Sequence, residues 1–599
     1  MSKLNPYQDI HTYITAQESQ FSTPVNLPGN WSWSFLEHCK LSYLYGHSQL
    51  SQGKTEWTPV VNITKPILNL QHRTEDIDLK DVNIYVDDPE YYHLSFLIKK
   101  YHDDVFVKEN DLDTFFDELN VSRIDYGGGL SKVAGNAREV VDLHSIAFCD
   151  QTDILSGPIG IKHFFSPSQL KEMEKKGWGK TENGATASID EVIQICRDEE
   201  GKREDQNNTD SKTPGTYIPV IEVHGDMPKH FLNEDDKSEE FTYQIQIVVP
   251  RMKENGKKEY ITLFKAEEKT NPFKLIKRDP VYGRALGWGG AEELFEDQVW
   301  TNYDAIRIQD MLDAAAKTVM VTQDKQLAQR HPGGLKDLDN MEFIYEDVNG
   351  NTRQLDTFPR NLALFEQSME RKLAHAKEMG ASQDPLQGKE SPSGTPFAAL
   401  QAQIQQGMGL HEYRRGQFAK HIEEIYMDDY LPKIAKEITK GTKFLTELSS
   451  DEMEFVSERM ANYEANKLIL KAVLNGQEIT QEEVDVLKDE FKKNFSAGGN
   501  KKFIEILKDE FKDVKLKVKV NVASKQKNMP QMVDKLVNIM RFAISNPAGL
   551  GQLMQVPGFA RIMRAILEYS DLDQLDFSGV DKLVPPPQPQ IAQPQLANG

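Results

Sequence analysis

At 599 residues the chain exceeds what one hydrophobic core supports, so roughly three or four domains are expected, and 39% hydrophobic with 27% charged residues marks it as globular rather than disordered. A formal net charge of -22 repels a polyanion on average, which excludes a tight, static nucleic-acid binder but permits transient contact with DNA. No apolar run approaches the roughly 20 residues of a membrane span, and no membrane association is expected.

Residues 1–58 carry Trp31, Trp33, Phe35, Tyr43, Tyr45 and Trp57 without a clear period, and a helical core is favoured there over a docking arm. From Val60 the pattern is helical, with Ile63, Ile67, Leu68 and Leu70, followed by a strand-like VNIYV and helical text from Tyr91 to Leu119. Gly127, Gly128 and Gly129 are expected in a turn or bulge between strands, since no lysine and hydroxyl residue follow to cradle a phosphate. Ser166 to Leu170 starts a short helix, and residues 190 to 215 read as a polar surface excursion. TYIPVIEVHG, FTYQIQIVVP and EYITLFKAEE alternate apolar and polar residues and predict an antiparallel meander.

The stretch from Leu286 to Lys440 then reads helix, hairpin, helix, polar loop, long helix. Leu294, Phe295, Val299, Tyr303, Ile306 and Met311 form a helical stripe, and Leu362, Phe365, Met369, Leu373 and Ala376 form a second one that stops at Gly380. The two are expected to pack antiparallel. Between them Asn349-Gly350, flanked by strand-like runs, predicts a two-residue hairpin turn. A calcium loop from Asp347, Asn349 and Asn351 is rejected because the glycine and the closing glutamate are misplaced. ASQDPLQGKESPSG, from Ala381 to Gly394, has nothing to bury and is expected to be a mobile loop. The following helix continues one stripe through Phe397, Leu400, Ile404, Met408, His411, Arg415, Phe418, Ile422 and Ile425. Gly407 and Gly409 each cost roughly 1 kcal/mol against Ala, so a bend or close helix approach is expected there. Beyond Lys440 the text is helical and charged, LKDEFK occurs twice, and Asp513 to Val522 alternates valine and leucine with lysine as a strand with a basic edge. VPPPQPQIAQPQLANG closes the sequence as an extended, disordered tail.

Chemistry-bearing motifs are missing. There is no Walker A sequence, HExxH or CxxC; Asp87-Asp88 and Asp103-Asp104 read as solvated loops, and no catalytic residue or cofactor is expected. Cys39, Cys149 and Cys196 lie too far apart for a local zinc pattern, and His38 and His47 read as packing and surface, so no metal is expected. The start MSKLNPYQDIHTYI lacks the form of a secretory signal, which suits synthesis in a reducing cytosol.

The order of elements resembles that of tailed-bacteriophage portal proteins, the head-to-tail connectors of phage capsids. GWGGAEELFEDQVWTNYDAIRIQD is similar to their stem helix after the wing domain, and SPSGTPFAALQAQIQ to the start of the helix after the channel loop. Size and acidity suggest the crAss-like gut phages. The resemblance implies a mostly helical, multidomain α+β portal-type fold: an N-terminal arm (1–59), wing (60–285), stem helices (286–318 and 359–380), a clip with a β-hairpin (319–358), channel loop (381–394), spine helix (395–440), crown (441–583) and tail (584–599). It implies a dodecameric ring at one capsid vertex of the virion, assembled in the host cytoplasm, that passes double-stranded DNA during packaging and ejection. Its partners would be the major capsid protein, terminase and head-tail adaptor proteins. Gln383, Asp384, Gln387, Lys389, Glu390 and Ser393 would face DNA without reading bases, and Phe343, Tyr345, Asn349, Gly350 and Arg353 would join neighbouring clips. The alternative is another virion structural protein, an adaptor or internal cargo protein, without a DNA channel.

Overall fold

The computed structural model describes residues 9–47, 61–79, 82–86, 92–197, 217–233, 240–252, 258–322, 343–345, 353–354, 361–386, 397–440, 450–474, 480, 483–493 and 516–520, with single positions inside some spans excepted. Helix and sheet are mixed, as expected for an α+β chain. The principal elements begin with α1 (Ile10–Phe21), β1 (Val25–Leu27), β2 (Trp31–Trp33), α2 (Phe35–Gly46), α3 (Thr64–Thr74), β3 (Val82–Val86), α4 (Tyr92–Tyr101) and α5 (Leu112–Tyr126). Then come β4 (Gly128–Ala134), β5 (Ala137–Val141), β6 (Ile146–Phe148), β7 (Ile159–Phe165), α6 (Pro167–Met173), β8 (Ile218–Pro228), β9 (Phe241–Met252), β10 (Lys258–Glu267) and β11 (Phe273–Lys277). They end with α7 (Phe295–Ala316), β12 (Met320–Thr322), β13 (Phe343–Tyr345), β14 (Arg353–Gln354), α8 (Leu362–Met379), α9 (Phe397–Ile425), α10 (Leu431–Lys440), α11 (Ser450–Leu474) and β15 (Leu516–Val520).

The chain folds as two compact units, one of Met1–Asp76 with Thr114–Arg414, the other of Ile77–Asp113 with Arg415–Gly599. Residues 77–113, read from the sequence as part of one wing, therefore cluster with the C-terminal third.

In the first unit the predicted meander forms, extended by two strands into an antiparallel sheet of order β10-β9-β8-β7-β6. Strand alternation puts apolar side chains on both faces: Val248 points into one core, Ile247 and Val249 into the other. The first core holds Tyr13, Ile14, Phe21, Trp33, Phe35 and Cys39, so the N-terminal residues from α1 to α2 pack as core. The second core holds Leu170 from α6, whose N-terminus is closed by a Ser166/Gln169 capping box, together with Ile189, Val192 and Ile193. Residues 189–197 are helical, which corrects the expected surface excursion for that part: three apolar residues spaced for one helix face found a sheet to cover. A smaller antiparallel sheet, β11-β4-β5, completes the unit's main β structure.

Two further expectations need correction. Gly127 to Gly129 link a helix to a strand rather than two strands, because α5 runs to Tyr126 and Gly127, at φ +79°, turns the chain into β4. The strands β13 and β14 do not pair with each other as a hairpin: both pair on β12, which lies between them, parallel to β13 and antiparallel to β14. A third strand occupies inner edges that a lone hairpin would share, and three strands satisfy more backbone groups than two. Asn349 and Gly350 lie outside the described residues, as does the whole rejected calcium loop except its strand residues.

The second unit joins distant sequence. β3 pairs antiparallel with β15, Val82 opposite Val520. Leu97, Ile98, Phe106, Phe418, Ile422, Ile425, Tyr426, Tyr430 and Ile434 are buried, and two π-helical turns, His102–Phe106 and Tyr426–Tyr430, meet through a 2.7 Å contact between His102 Nε2 and the Tyr426 hydroxyl. α9 runs unbroken through Gly407, which is buried, and Gly409, which is exposed, and passes into the π-helical turn only at Tyr426. The tail expected to be extended and disordered lies outside the described residues.

Candidate functional site

The two stem helices of the sequence reading meet side by side. Asp297 takes a 2.6 Å hydrogen bond from His375, Asp304 a 2.6 Å bond from Ser368, and the Arg307 guanidinium stacks 5.9 Å from the centre of Phe365. The partner number falls as the α7 number rises, so α7 and α8 are antiparallel, as expected.

Of the predicted stripe Leu294, just ahead of α7, is fully buried and Phe295, Val299, Ile306 and Met311 are half-buried, but the most buried face of α7 is a polar one. Asp297, Gln298, Thr301, Asn302 and Asp304 are buried, whereas Tyr303 is 53% and Trp300 44% exposed. Long-range partners decide this. Gln298 Oε1 accepts from the backbone N–H of Ile63 (2.9 Å) and of Thr64 (3.2 Å) and from the Thr64 hydroxyl (3.0 Å), while its amide nitrogen donates to Val61 O (2.7 Å) and to Asn302 Oδ1 (3.0 Å). A side chain from a distant helix thereby satisfies open N–H groups at the start of α3. On α8 the predicted stripe does face inward, Ala376 fully buried, but Leu364 is 65% exposed and lines a groove with Trp300, Phe365, Arg307 and Lys372.

Where α7 begins and α8 ends, a buried carboxylate organises the fold. Glu75, directly after α3, has no exposed surface. Arg123 of α5 reaches its Oε2 at 3.0 Å, and Arg278, after β11, its Oε1 at 3.1 Å. From α9, Arg414 approaches Oε1 at 3.8 Å and the His411 ring at 3.2 Å. The outer carboxylates are Glu293, 3.5 Å from Arg278 and also paired with Arg414, and Asp279, 2.5 Å from Arg414. Burial alone would keep Glu75 protonated, but Arg278, the His411 hydrogen bond, Arg123 and Arg414 outweigh it and hold its carboxyl far below the usual carboxylate range. Burial lowers Arg123 to about 10, so it stays charged at neutral pH.

Glycines of the LGWGG motif bring these groups together. A Cβ on Gly287 would sit 1.7 Å from the Arg278 carbonyl oxygen, and one on Gly127 2.3 Å from that of Gly287, so only glycine permits this backbone approach. The chain after α8 is tied to the same place: Gln71 donates to Gly380 O (3.3 Å) and His411 Nε2 lies 3.1 Å from Ala381 O. The predicted stop at Gly380 is the cap position, but the left-handed residue is Ala381, at φ +48°, and Ser382 N–H closes the helix on Lys377 O at 2.8 Å.

Of the residues expected to face DNA, Asp384 is exposed and pairs with Lys377 at 2.7 Å; Gln383, Gln387, Lys389, Glu390 and Ser393 lie outside the described residues. Phe343 and Tyr345 are in β13 and Arg353 in β14. Among the described residues no group of three or more His, Cys, Asp or Glu is arranged to hold a metal, and no helix is long and apolar enough to cross a membrane. Sequence reasoning missed Glu75, Arg123, Arg278, Glu293 and Arg414, whose neighbours in sequence give no periodic or motif signal. Comparisons with protein-family models and with curated protein sequences find no match.

Proposed function

We propose that the chain is the protomer of a ring of the portal type, passing double-stranded DNA through a central bore at a capsid vertex and serving as a platform for terminase and then head-tail adaptors. The observation that carries this reading is the helix pair α7–α8, which zips together through buried polar groups and leaves Trp300, Tyr303 and Leu364 turned outward. A helix that spends its polar residues inside and its aromatic residues outside is suited to a second apolar surface. Repeated heterologous contacts of this kind close into a ring. The small sheet β13-β12-β14 lies in the chain between the two helices, as a clip would, and the polar loop after α8 leads into the long helix α9. The net charge of -22 suits a conduit, because each fixed cation on the wall would hold phosphates and slow sliding.

Negative-stain images and native mass spectrometry of the purified protein test it. Closed rings with a central hole are expected. A single chain with no hole under all conditions would favour the adaptor or cargo-protein reading and remove this one.

A further inference from the structure

The ring of His411 is fully buried and sits between two groups of the same kind: Nδ1 is 3.2 Å from Glu75 Oε1 and Nε2 is 3.1 Å from the carbonyl oxygen of Ala381. Both neighbours are acceptors. A carbonyl carries no proton, and Glu75 is held ionised by the arginines around it. A neutral imidazole owns one N–H and satisfies one of the two; the other nitrogen then points a lone pair at an oxygen about 3 Å away. Only the imidazolium donates to both.

We propose that His411 is a proton-operated latch: charged, it ties the first left-handed residue after α8 to the buried carboxylate, and on losing a proton it keeps its one N–H on the ionised Glu75, the stronger acceptor, and releases Ala381. The charged groups around it come from every packed element. Glu75 follows α3, Arg123 is on α5, Arg278 follows β11, Glu293 precedes α7, and Arg414 lies one turn further along α9. Three guanidinium groups oppose the ring's charge, while Glu75 accepts its hydrogen bond and Glu293 and Asp279 neutralise Arg278 and Arg414. The latch's load is the backbone of Ala381, whose left-handed conformation is strained for a residue with a Cβ, so the held geometry relaxes when the bond is lost. Gln71 on Gly380 O and Lys377 on Asp384 remain after release, which confines the change to the backbone on either side of Ala381. The inference concerns a single chain and stands whether or not chains assemble into a ring.

The test uses the full-length protein labelled with 15N-histidine, across roughly pH 5.5 to 8.5, which spans the usual histidine range. His411 ring shifts, assigned by their absence in His411→Gln, should report both nitrogens protonated at the acid end. Amide-exchange protection of residues 380–384, corrected for intrinsic rates, should fall about tenfold with the same midpoint, the scale of one charge-assisted hydrogen bond. Protection in β8 and β9 should stay unchanged, and in His411→Gln protection of 380–384 should be low and independent of pH. A ring that stays neutral throughout, or a 380–384 segment whose protection ignores the ring's titration, overturns the latch. Both wild-type readings decide the matter even if the variant does not fold.

Discussion

His224 shows how a single buried side chain couples this fold to pH. Its ring donates to Glu268 at 2.7 Å and to Glu222 at 2.9 Å, and Glu222 also accepts from His163 at 2.9 Å and Lys132 at 2.8 Å, which fastens β4 to the meander. Burial works against a charged His224, but the two carboxylates outweigh it and raise its pKa above 6.5. A raised pKa gives stability that is complete below about pH 6.5 and drains away as pH climbs through the folded value. Denaturant titrations from about pH 6 to 9 should find the first unit weakening upward, and His224→Gln should flatten that slope; an identical slope in the variant would refute the assignment. Glu222 has the opposite sign: its depressed pKa, set against burial by His163, His224 and Lys132, supports the fold above the ordinary glutamate range and is lost in acid. At Ala381 the expectation is a gain. Ala381→Gly removes the strain of a left-handed Cβ while leaving the carbonyl in place, and should raise stability by about 1 kcal/mol in chemical denaturation.

Among the elements, α7 carries the sharpest separation between stability and surface. Gln298 caps the start of α3 with one oxygen and braces Val61 with its amide, so Gln298→Ala leaves buried backbone N–H groups unsatisfied and should cost about 1–3 kcal/mol. Trp300→Ala combined with Tyr303→Ala touches exposed rings only and should shift stability by about 0.5 kcal/mol or less while preventing ring formation, read by sedimentation beside a denaturation curve. An assembled double variant would remove these aromatics from the proposed interface. The two predictions also mark what was legible. The meander could be read because alternation is local: each strand's faces are written in its own residues. The α8 stripe and the stripe of α9 from Ile404 to Ile425 were legible for the same reason. Tyr303 was misassigned because the inward face of α7 is chosen by Thr64, Ser368 and His375, residues far along the chain that no window around Tyr303 contains. Glu75 was illegible on the same ground, its four partners lying at 123, 278, 411 and 414.

For the whole molecule, the division into two units predicts two calorimetric transitions rather than one. Deleting residues 501–599 removes β15, leaves β3 without its partner, and should lower or erase one transition while the other holds its temperature. A single transition in the intact protein, or equal damage to both, would contradict the division. The pairing of β3 with β15 also sets a timetable for biosynthesis. Val86 leaves the ribosome about 430 residues before Leu516, a wait of roughly 20 to 90 seconds at about 5–20 residues per second. The first unit is complete once Arg414 has emerged, so its closure precedes that of the second. During that interval the nascent polypeptide carries residues 77–113 as an unfinished insert with an apolar strand, so a chaperone bound during translation is expected on that segment.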